Sequence, residues 1–169
     1  RRADGHKGTF GRIYVVAGDV GYTGAPVYAA EAAARTGSGL VFVGVPQAVY
    51  PIVAARCATA MAQPLPEDRE VLLERLKGCD AVVLGRSRAA EELVLFLLEK
   101  LECPVVLDAD GINAAAAHID VLRGRRCPTV VTPHEGEFLR LGGDLSLGRE
   151  EAALAAAREL GCVLVLKGP

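Results

Sequence analysis

The sequence of 169 residues contains no tryptophan and one methionine, and aromatic side chains make up only 5% of it. It also lacks an excess of charge, because 19 Lys and Arg residues oppose 21 Asp and Glu residues for a net charge of −2. That balance argues against a protein that binds nucleic acid through a broad basic face. No apolar run approaches the ~20 residues of a membrane-spanning helix. What remains is a globular chain, with 51% hydrophobic residues for its core.

Cysteine is sparse and widely spaced, with five residues and no C-x-x-C pair. An odd count at such spacing fits neither a disulfide framework nor a zinc site. We therefore expect reduced, buried thiols and a cytoplasmic protein.

Short apolar runs alternate with helical patterns along the whole chain. We predict strands over residues 12–17, 40–45, 81–84, 104–107, 129–132 and 162–166. We predict helices over residues 26–36, 47–54, 67–77, 89–101, 112–123 and 149–160. Continuously apolar strands with helices between them indicate one three-layer α/β/α domain over residues 1–169, built on a mostly parallel sheet. In such sheets ligands bind outside the carboxyl ends of the strands, so the segments that follow the strands carry the functional information.

A glycine-rich segment follows the first predicted strand, with Gly18, Gly21 and Gly24 spaced three apart and Pro26 near the start of a helix. Unpaired N–H groups at a helix start suit a phosphate. The spacing matches neither the dinucleotide fingerprint nor the P-loop, and glycines are also ordinary turn formers. Both interpretations stay open.

Two carboxylates, Asp108 and Asp110, follow the strand at residues 104–107. Residues two apart on a strand face the same way, so we predict that both point toward the ligand edge. Their repulsion then has to be offset by a cation or by hydrogen-bond donors. Alternatively, Asp110 caps a helix that begins near Ile112, which leaves Asp108 unexplained.

Polar residues also follow the last two predicted strands. His134, Glu135 and Glu137 could bind polar ligand atoms or hold a metal-bound phosphate. They could equally form a solvated loop with a glutamate at a helix start. Lys167 and Gly168 come after the final strand, where a lysine either meets a phosphate as a point charge or stays solvated.

Five segments occur in a fixed order along the chain: residues 6–26, which include HKGTFG, VVAG and YTGAP; 34–41, ARTGSGLV; 107–114, LDADGINA; 132–137, TPHEGE; and 166–168, LKG. Together they resemble the ADP/ATP-dependent NAD(P)H-hydrate dehydratases, the YjeF C-terminal type of the ribokinase-like superfamily. The resemblance covers nearly the whole chain and implies a ribokinase-like fold.

The sequence departs from that family in two places. The family has G-P-G-L-G after the strand that corresponds to residues 81–84, whereas here Gly85 is followed directly by Arg86, Ser87 and Arg88. The sequence also stops at Pro169, within the family's nucleotide loop and before its G-x-G-D segment, which carries the catalytic aspartate. We therefore expect the chain to lack the C-terminal third of its domain, and the catalytic residue stays unknown.

The resemblance implies an ADP-dependent (S)-NAD(P)H-hydrate dehydratase, a lyase that repairs hydrated NADH or NADPH with ADP, as in bacterial members, or ATP, and Mg²⁺. It implies contacts of Ala25, Gly85 and His134 with the hydrated dinucleotide, and places Lys167 and Gly168 at the start of the nucleotide loop. Four further residues are candidates from their strand-end positions, for Mg²⁺-linked waters, phosphate or loop order and not as direct metal ligands: Asp108, Asp110, Asn113 and Glu137.

Two other functions stay open. A kinase of the same superfamily, acting on a hydroxymethylpyrimidine or thiazole alcohol, would also suit the Thr-Pro-x-x-x-Glu pattern of residues 132–137. The missing G-x-G-D segment would suit a non-catalytic nucleotide-binding remnant. For partners, the resemblance implies the hydrated dinucleotide and other copies of the same chain, with no nucleic acid and no membrane.

Overall fold

A computed structural model describes residues 4–85 and 90–168. The chain forms two compact units, Arg1–Val83 and Leu84–Pro169.

The first unit alternates strands and helices. After a 3-10 turn at Lys7–Phe10, it contains β1 (Arg12–Ala17), α1 (Gly24–Arg35), β2 (Leu40–Val45), α2 (Tyr50–Arg56), β3 (Met61–Pro64) and α3 (Arg69–Leu76). The three strands are parallel in the order β3-β2-β1, with Val15 opposite Val43 and Val43 opposite Ala62. Small aliphatic side chains fill the core between these strands and helices, among them the buried Val15, Val43 and Val53.

The second unit repeats this alternation. The second unit begins within strand β4 (Ala81–Gly85). It then contains α4 (Glu91–Lys100), β5 (Val105–Leu107), α5 (Asp110–Ala117), α6 (Asp120–Arg123), β6 (Thr129–Val131), α7 (Glu135–Arg140), a 3-10 turn at Leu145–Leu147, α8 (Arg149–Leu160) and β7 (Val163–Leu164). Strands β5, β6 and β7 are parallel neighbours in that order. Leu107, Ile112, Val131 and Phe138 are fully buried among them.

Parallel strands separated by helices confirm the α/β class, and all six predicted strands are present. The prediction missed β3 and α7, because a four-residue strand and a six-residue helix are too short to show a period. The predicted helix at 112–123 is two helices, separated where His118 leaves helical geometry. Within the described part of the chain, no helix has the length and apolar character to cross a membrane.

The cysteines are less buried than the sequence predicted. Cys79 is buried, whereas the other four are half-buried. Burial raises the pKa of the Cys57, Cys79 and Cys162 thiols above the ordinary value. A raised pKa disfavours the thiolate, so these three side chains behave as small hydrophobic groups.

Helix α5 approaches the end of β4 closely because residue 111 is glycine. A Cβ at Gly111 would come within 2.9 Å of the Leu84 carbonyl oxygen and within 2.8 Å of Leu107 Cδ1. Both distances are shorter than packed atoms tolerate, so the glycine sets how near α5 lies to the strand that precedes the Asp108 segment.

We predict that Gly111→Ala destabilises the protein by about 1–3 kcal/mol, because β4 and α5 must separate to admit the methyl group. Gly24→Ala is the matched control, since a Cβ at this first residue of α1 would meet its nearest neighbour, Tyr28 Cε2, at 3.6 Å. Urea denaturation of both variants measures the change. Equal stability of the two variants would contradict the prediction.

Candidate functional site

The candidate residues of the second unit lie at the edge where β5, β6 and β7 end. Leu107 is paired with Val131, and the carboxyl ends of parallel strands meet at one edge of a sheet. Backbone bonds extend the alignment past the strands, since the Val165 N–H donates to the Val131 carbonyl and the Lys167 N–H to the Pro133 carbonyl, both at 2.8 Å. Lys167 is therefore held in register with the segment that precedes His134.

Three charged side chains converge at this edge. The Lys167 ammonium Nζ lies 2.7 Å from Asp108 Oδ1 and 3.9 Å from Glu137 Oε2. The Asp108 and Lys167 side chains are each 43% exposed, whereas the Glu137 side chain is 6% exposed. We call these three residues the Asp108–Glu137–Lys167 cluster. The Lys167 ammonium offsets the charge of Asp108, for which the sequence had predicted either a cation or hydrogen-bond donors.

The electrostatic environment favours the ionised form of Asp108. Partial burial alone would raise its pKa, but the hydrogen bonds from Lys167 and Thr132 and the positive charge of Lys167 outweigh it. The pKa of Asp108 therefore lies below its ordinary value of 3.8. At neutral pH the Asp108 carboxyl is therefore ionised.

The prediction that Asp108 and Asp110 point together from one strand is wrong. Strand β5 ends at Leu107, and Ala109 adopts a φ of +52° that turns the chain, so two-residue alternation no longer applies. Asp110 is the first residue of α5, where a carboxylate complements the helix dipole. It is not the cap, because Ala109 occupies the N-cap position.

Asp110 and Asn113 join two helices. Asp110 Oδ1 accepts a hydrogen bond from Asn113 Nδ2 at 2.8 Å, and Asn113 Oδ1 accepts one from Arg140 Nη1 at 2.6 Å. This chain of polar contacts ties the start of α5 to the end of α7. Arg140 was not among the predicted site residues, because its contact depends on how the two helices pack.

His134 and Glu137 form a capping box at the start of α7. His134 Nδ1 accepts hydrogen bonds from the Gly136 N–H at 3.0 Å and the Glu137 N–H at 3.3 Å. In return, Glu137 Oε2 accepts from the His134 N–H at 2.9 Å. The two side chains thus satisfy N–H groups that a helix start otherwise leaves unpaired. A glutamate at a helix start was one of the predictions from the sequence, whereas a capping histidine was not.

The imidazole of His134 has one nitrogen that takes no part in the helix cap. Because Nδ1 accepts two hydrogen bonds, this geometry assigns the proton of the neutral ring to Nε2. Nε2 lies 3.4 Å from Glu137 Oε1, and the His134 side chain is 55% exposed. The ring can therefore donate a hydrogen bond toward solvent or a ligand while it caps the helix.

The remaining candidates of the second unit are backbone positions near this edge. Gly85 is the last residue of β4, and a Cβ there would lie 3.9 Å from the Asp108 carbonyl oxygen, which is ordinary contact. Gly168 lies against the guanidinium of Arg149, which also donates to the Lys167 carbonyl at 2.8 Å. Residues 86–88, where the sequence departs from the family pattern, lie outside the described residues.

In the first unit, Ala25 is exposed at the second position of α1. The preceding loop turns at Gly18 and Gly21, both with a φ of +83°, so the turn-forming interpretation of these glycines is confirmed. The Thr23 side chain makes no capping hydrogen bond to the described residues. The N–H groups at the start of α1 therefore keep the capacity to bind an anion that the sequence suggested.

Among the described residues, no three His, Cys, Asp or Glu side chains converge as ligands of one ion. Lys167 occupies the space between Asp108 and Glu137 where a cation would otherwise lie. The second unit also has an open cavity of about 780 Å³, lined by other residues, among them Leu98, His118 and Arg125.

Known proteins resemble this chain in both sequence and fold. A family model described as NAD(P)H-hydrate dehydratase matches residues 13–169. The bifunctional NAD(P)H-hydrate repair enzyme of Moorella thermoacetica is 41% identical over 185 residues, which cover 99% of this chain and 35% of that protein. The ADP-dependent (S)-NAD(P)H-hydrate dehydratase of Neisseria meningitidis is 36% identical, with 99% and 59% covered. The chain thus spans about a third of the length of the bifunctional relatives it matches.

Solved structures confirm the ribokinase-like fold. The ADP/ATP-dependent NAD(P)H-hydrate dehydratase of Bacillus subtilis, co-crystallised with ATP and Mg²⁺, superposes with a TM-score of 0.74 at 28% identity, covering 99% of this chain and 61% of that one. A ribokinase-like superfamily protein of Enterococcus faecalis gives a TM-score of 0.86 at 24% identity, again with 99% and 61% covered.

The lowered pKa of Asp108 predicts how stability depends on pH. A group whose pKa falls on folding contributes stability above its ordinary pKa and loses it as pH drops through the folded value. We expect Asp108→Asn to be less stable than the wild type at pH 7, by up to ~1 kcal/mol for a half-exposed pair. The difference should shrink as pH falls below the ordinary value of 3.8.

Urea denaturation at a series of pH values measures this change. Glu99→Gln, at an exposed position on α4, is the control. The difference in free energy of unfolding between this variant and the wild type should not shrink with falling pH in the same way. If the loss of unfolding free energy in Asp108→Asn were the same at every pH, the charge of Asp108 would not contribute to stability through the ion pair.

Proposed function

Since the chain belongs to the NAD(P)H-hydrate dehydratase family, we propose that it carries part of a site where ADP or ATP drives the dehydration of hydrated NADH or NADPH. The observation that carries the proposal is the Asp108–Glu137–Lys167 cluster. Its members come from three of the five segments that resemble the family, and they meet at the carboxyl ends of parallel strands, where α/β proteins bind ligands.

The chemistry turns a poor leaving group into a good one. Transfer of the terminal phosphoryl group of ADP or ATP to the hydroxyl of the hydrated ring gives a phosphate ester and AMP or ADP. Loss of that phosphate, with a proton from the adjacent carbon, restores the ring double bond and NAD(P)H. Phosphoryl transfer depends mainly on positioning and electrostatic stabilisation, so the chain's task is to hold donor and acceptor.

We assign Lys167 and Gly168 to the nucleotide. The Lys167 ammonium would meet a phosphate oxygen as a point charge, and its register with Pro133 supports a fixed location. We assign His134 and Gly85 to the hydrated dinucleotide, with His134 Nε2 donating a hydrogen bond while Nδ1 caps α7.

Ala25 of the first unit is also assigned to the hydrated dinucleotide. It is exposed, as are the neighbouring side chains of Tyr22 and Tyr28, which are 71% and 65% exposed. Aromatic faces of this kind suit a planar ring.

The four acidic and amide candidates differ in the roles that their contacts support. Asp110 and Asn113 tie helices together, and Glu137 closes the capping box, so loop order is the role we assign to these three. Asp108 holds Lys167. Mg²⁺ would neutralise negative charge on the phosphates. We assign no catalytic base within this sequence.

Two further properties belong to the proposal. Cytoplasmic location rests on cysteine usage, and assembly of several identical subunits rests on the family resemblance. We further propose that residues 1–169 belong to one ribokinase-like domain.

The first test is enzymatic. We expect the full-length protein, with Mg²⁺ and ADP, to restore the absorbance of reduced nicotinamide from hydrated NADPH, and to turn over more slowly with ATP. Omission of nucleotide is the control, and it should abolish the reaction. Phosphorylation of a hydroxymethylpyrimidine or thiazole alcohol without dehydration would instead favour the kinase, and ADP binding with neither reaction would favour the remnant.

The second test separates the two uses of His134. His134→Ala removes both the cap and the ligand contact, so we expect a stability loss of ~1 kcal/mol together with a lower kcat/KM for the hydrated dinucleotide. His134→Asn keeps a capping oxygen, so the thermal midpoint should stay near that of the wild type. One lost hydrogen bond to the ligand should lower kcat/KM in both variants about two- to tenfold. An unchanged kcat/KM in His134→Asn would show that His134 does not contact the ligand.

A further inference from the structure

Arg149 makes contacts that the stability of its own helix does not explain. It is the first residue of α8, where the helix dipole disfavours a cation. Its guanidinium reaches out of the helix to pair with Glu135, the first residue of α7, and Nη2 donates to the Lys167 carbonyl at 2.8 Å. The arginine thus joins the starts of two helices to the segment that follows β7.

The backbone of Lys167 is fixed from both sides by long-range hydrogen bonds. Its N–H donates to the Pro133 carbonyl, and its carbonyl accepts from Arg149. Its ammonium is held separately by Asp108. Lys167 lies beyond the last residue of β7 and is exposed, yet its main chain and side chain both have defined partners.

The orientation of the Lys167 carbonyl also fixes the next N–H group. A trans peptide is planar, with its carbonyl and N–H pointing in opposite directions. Because the Lys167 carbonyl points at Arg149, the Gly168 N–H points away from the guanidinium. A Cβ at Gly168 would lie 3.0 Å from Arg149 Nη2, so the absence of a side chain there lets the guanidinium lie against this peptide.

We propose that Arg149 is a positioning residue for the nucleotide: it sets the orientation of the Lys167–Gly168 peptide and so directs the Gly168 N–H toward a phosphate group. The inference rests on the proposed function for its ligand, a nucleoside diphosphate or triphosphate. The ion pair with Glu135 holds the guanidinium in place, so that the peptide is oriented before the nucleotide binds.

The experiment compares ADP binding in the full-length wild type and in Arg149→Gln, Arg149→Lys and the control Arg158→Gln. Arg158 is exposed in the last turn of the same helix. Calorimetry should show a Kd for ADP that is about two- to tenfold higher in Arg149→Gln. Arg149→Lys should be intermediate, because one ammonium lacks the fork that serves both Glu135 and the carbonyl. Arg158→Gln should match the wild type.

Steady-state kinetics distinguish positioning from general structural support. Arg149→Gln should raise the KM for ADP by the same factor and leave the KM for the hydrated dinucleotide and the thermal midpoint near wild-type values. An unchanged Kd for ADP in Arg149→Gln would overturn the inference. A lower thermal midpoint with both KM values raised together would overturn it as well, and so would failure of the wild type to bind ADP. If the wild type binds ADP and Arg149→Gln binds it more weakly, yet neither dehydrates the hydrate, the proposed function fails and the positioning role stands.

Discussion

The parallel pairing of β5, β6 and β7 is the constraint on which the candidate site depends. It aligns the residues that follow three separate strands, so that Asp108, the His134–Glu137 segment and Lys167 meet although they are far apart in sequence. A one-residue slip of β7 would send the Lys167 side chain to the opposite side of its strand. The two backbone bonds that continue past β7 keep that register up to Lys167.

Much of the architecture could be predicted from local sequence. Continuously apolar runs located the main strands because both faces of a parallel strand are buried, and the segment of α8 was predicted to the residue. The edge that carries Asp108 and Lys167 followed from the rule that ligands bind at the carboxyl ends of strands.

The details of the site depended on geometry that no periodic pattern reveals. The turn at Ala109 uses a positive φ on a residue other than glycine, so no turn between Asp108 and Asp110 could be predicted from residue type. Arg140 and Arg149 lie on helix surfaces, and their roles arise only from packing between elements. A histidine in the N-cap position is a weak sequence signal, because Ser, Thr, Asp and Asn are the usual caps.

The capping box makes local stability and the proposed ligand contact of His134 depend on the same side chain. His134 and Glu137 satisfy N–H groups of α7, and these hydrogen bonds hold the imidazole in one orientation. A ligand that accepts from His134 would therefore meet a donor that is already oriented by an interaction that the helix start needs in any case.

The Asp108–Glu137–Lys167 cluster has a consequence for the ions that accompany a ligand. With both carboxylates ionised, it holds one more negative charge than positive. A phosphate that approaches Lys167 therefore meets a lysine already neutralised by Asp108 and a further carboxylate behind it. If a nucleotide binds at this edge as proposed, its binding would be linked to the uptake of a compensating cation, so its apparent affinity would depend on the cation concentration of the solution.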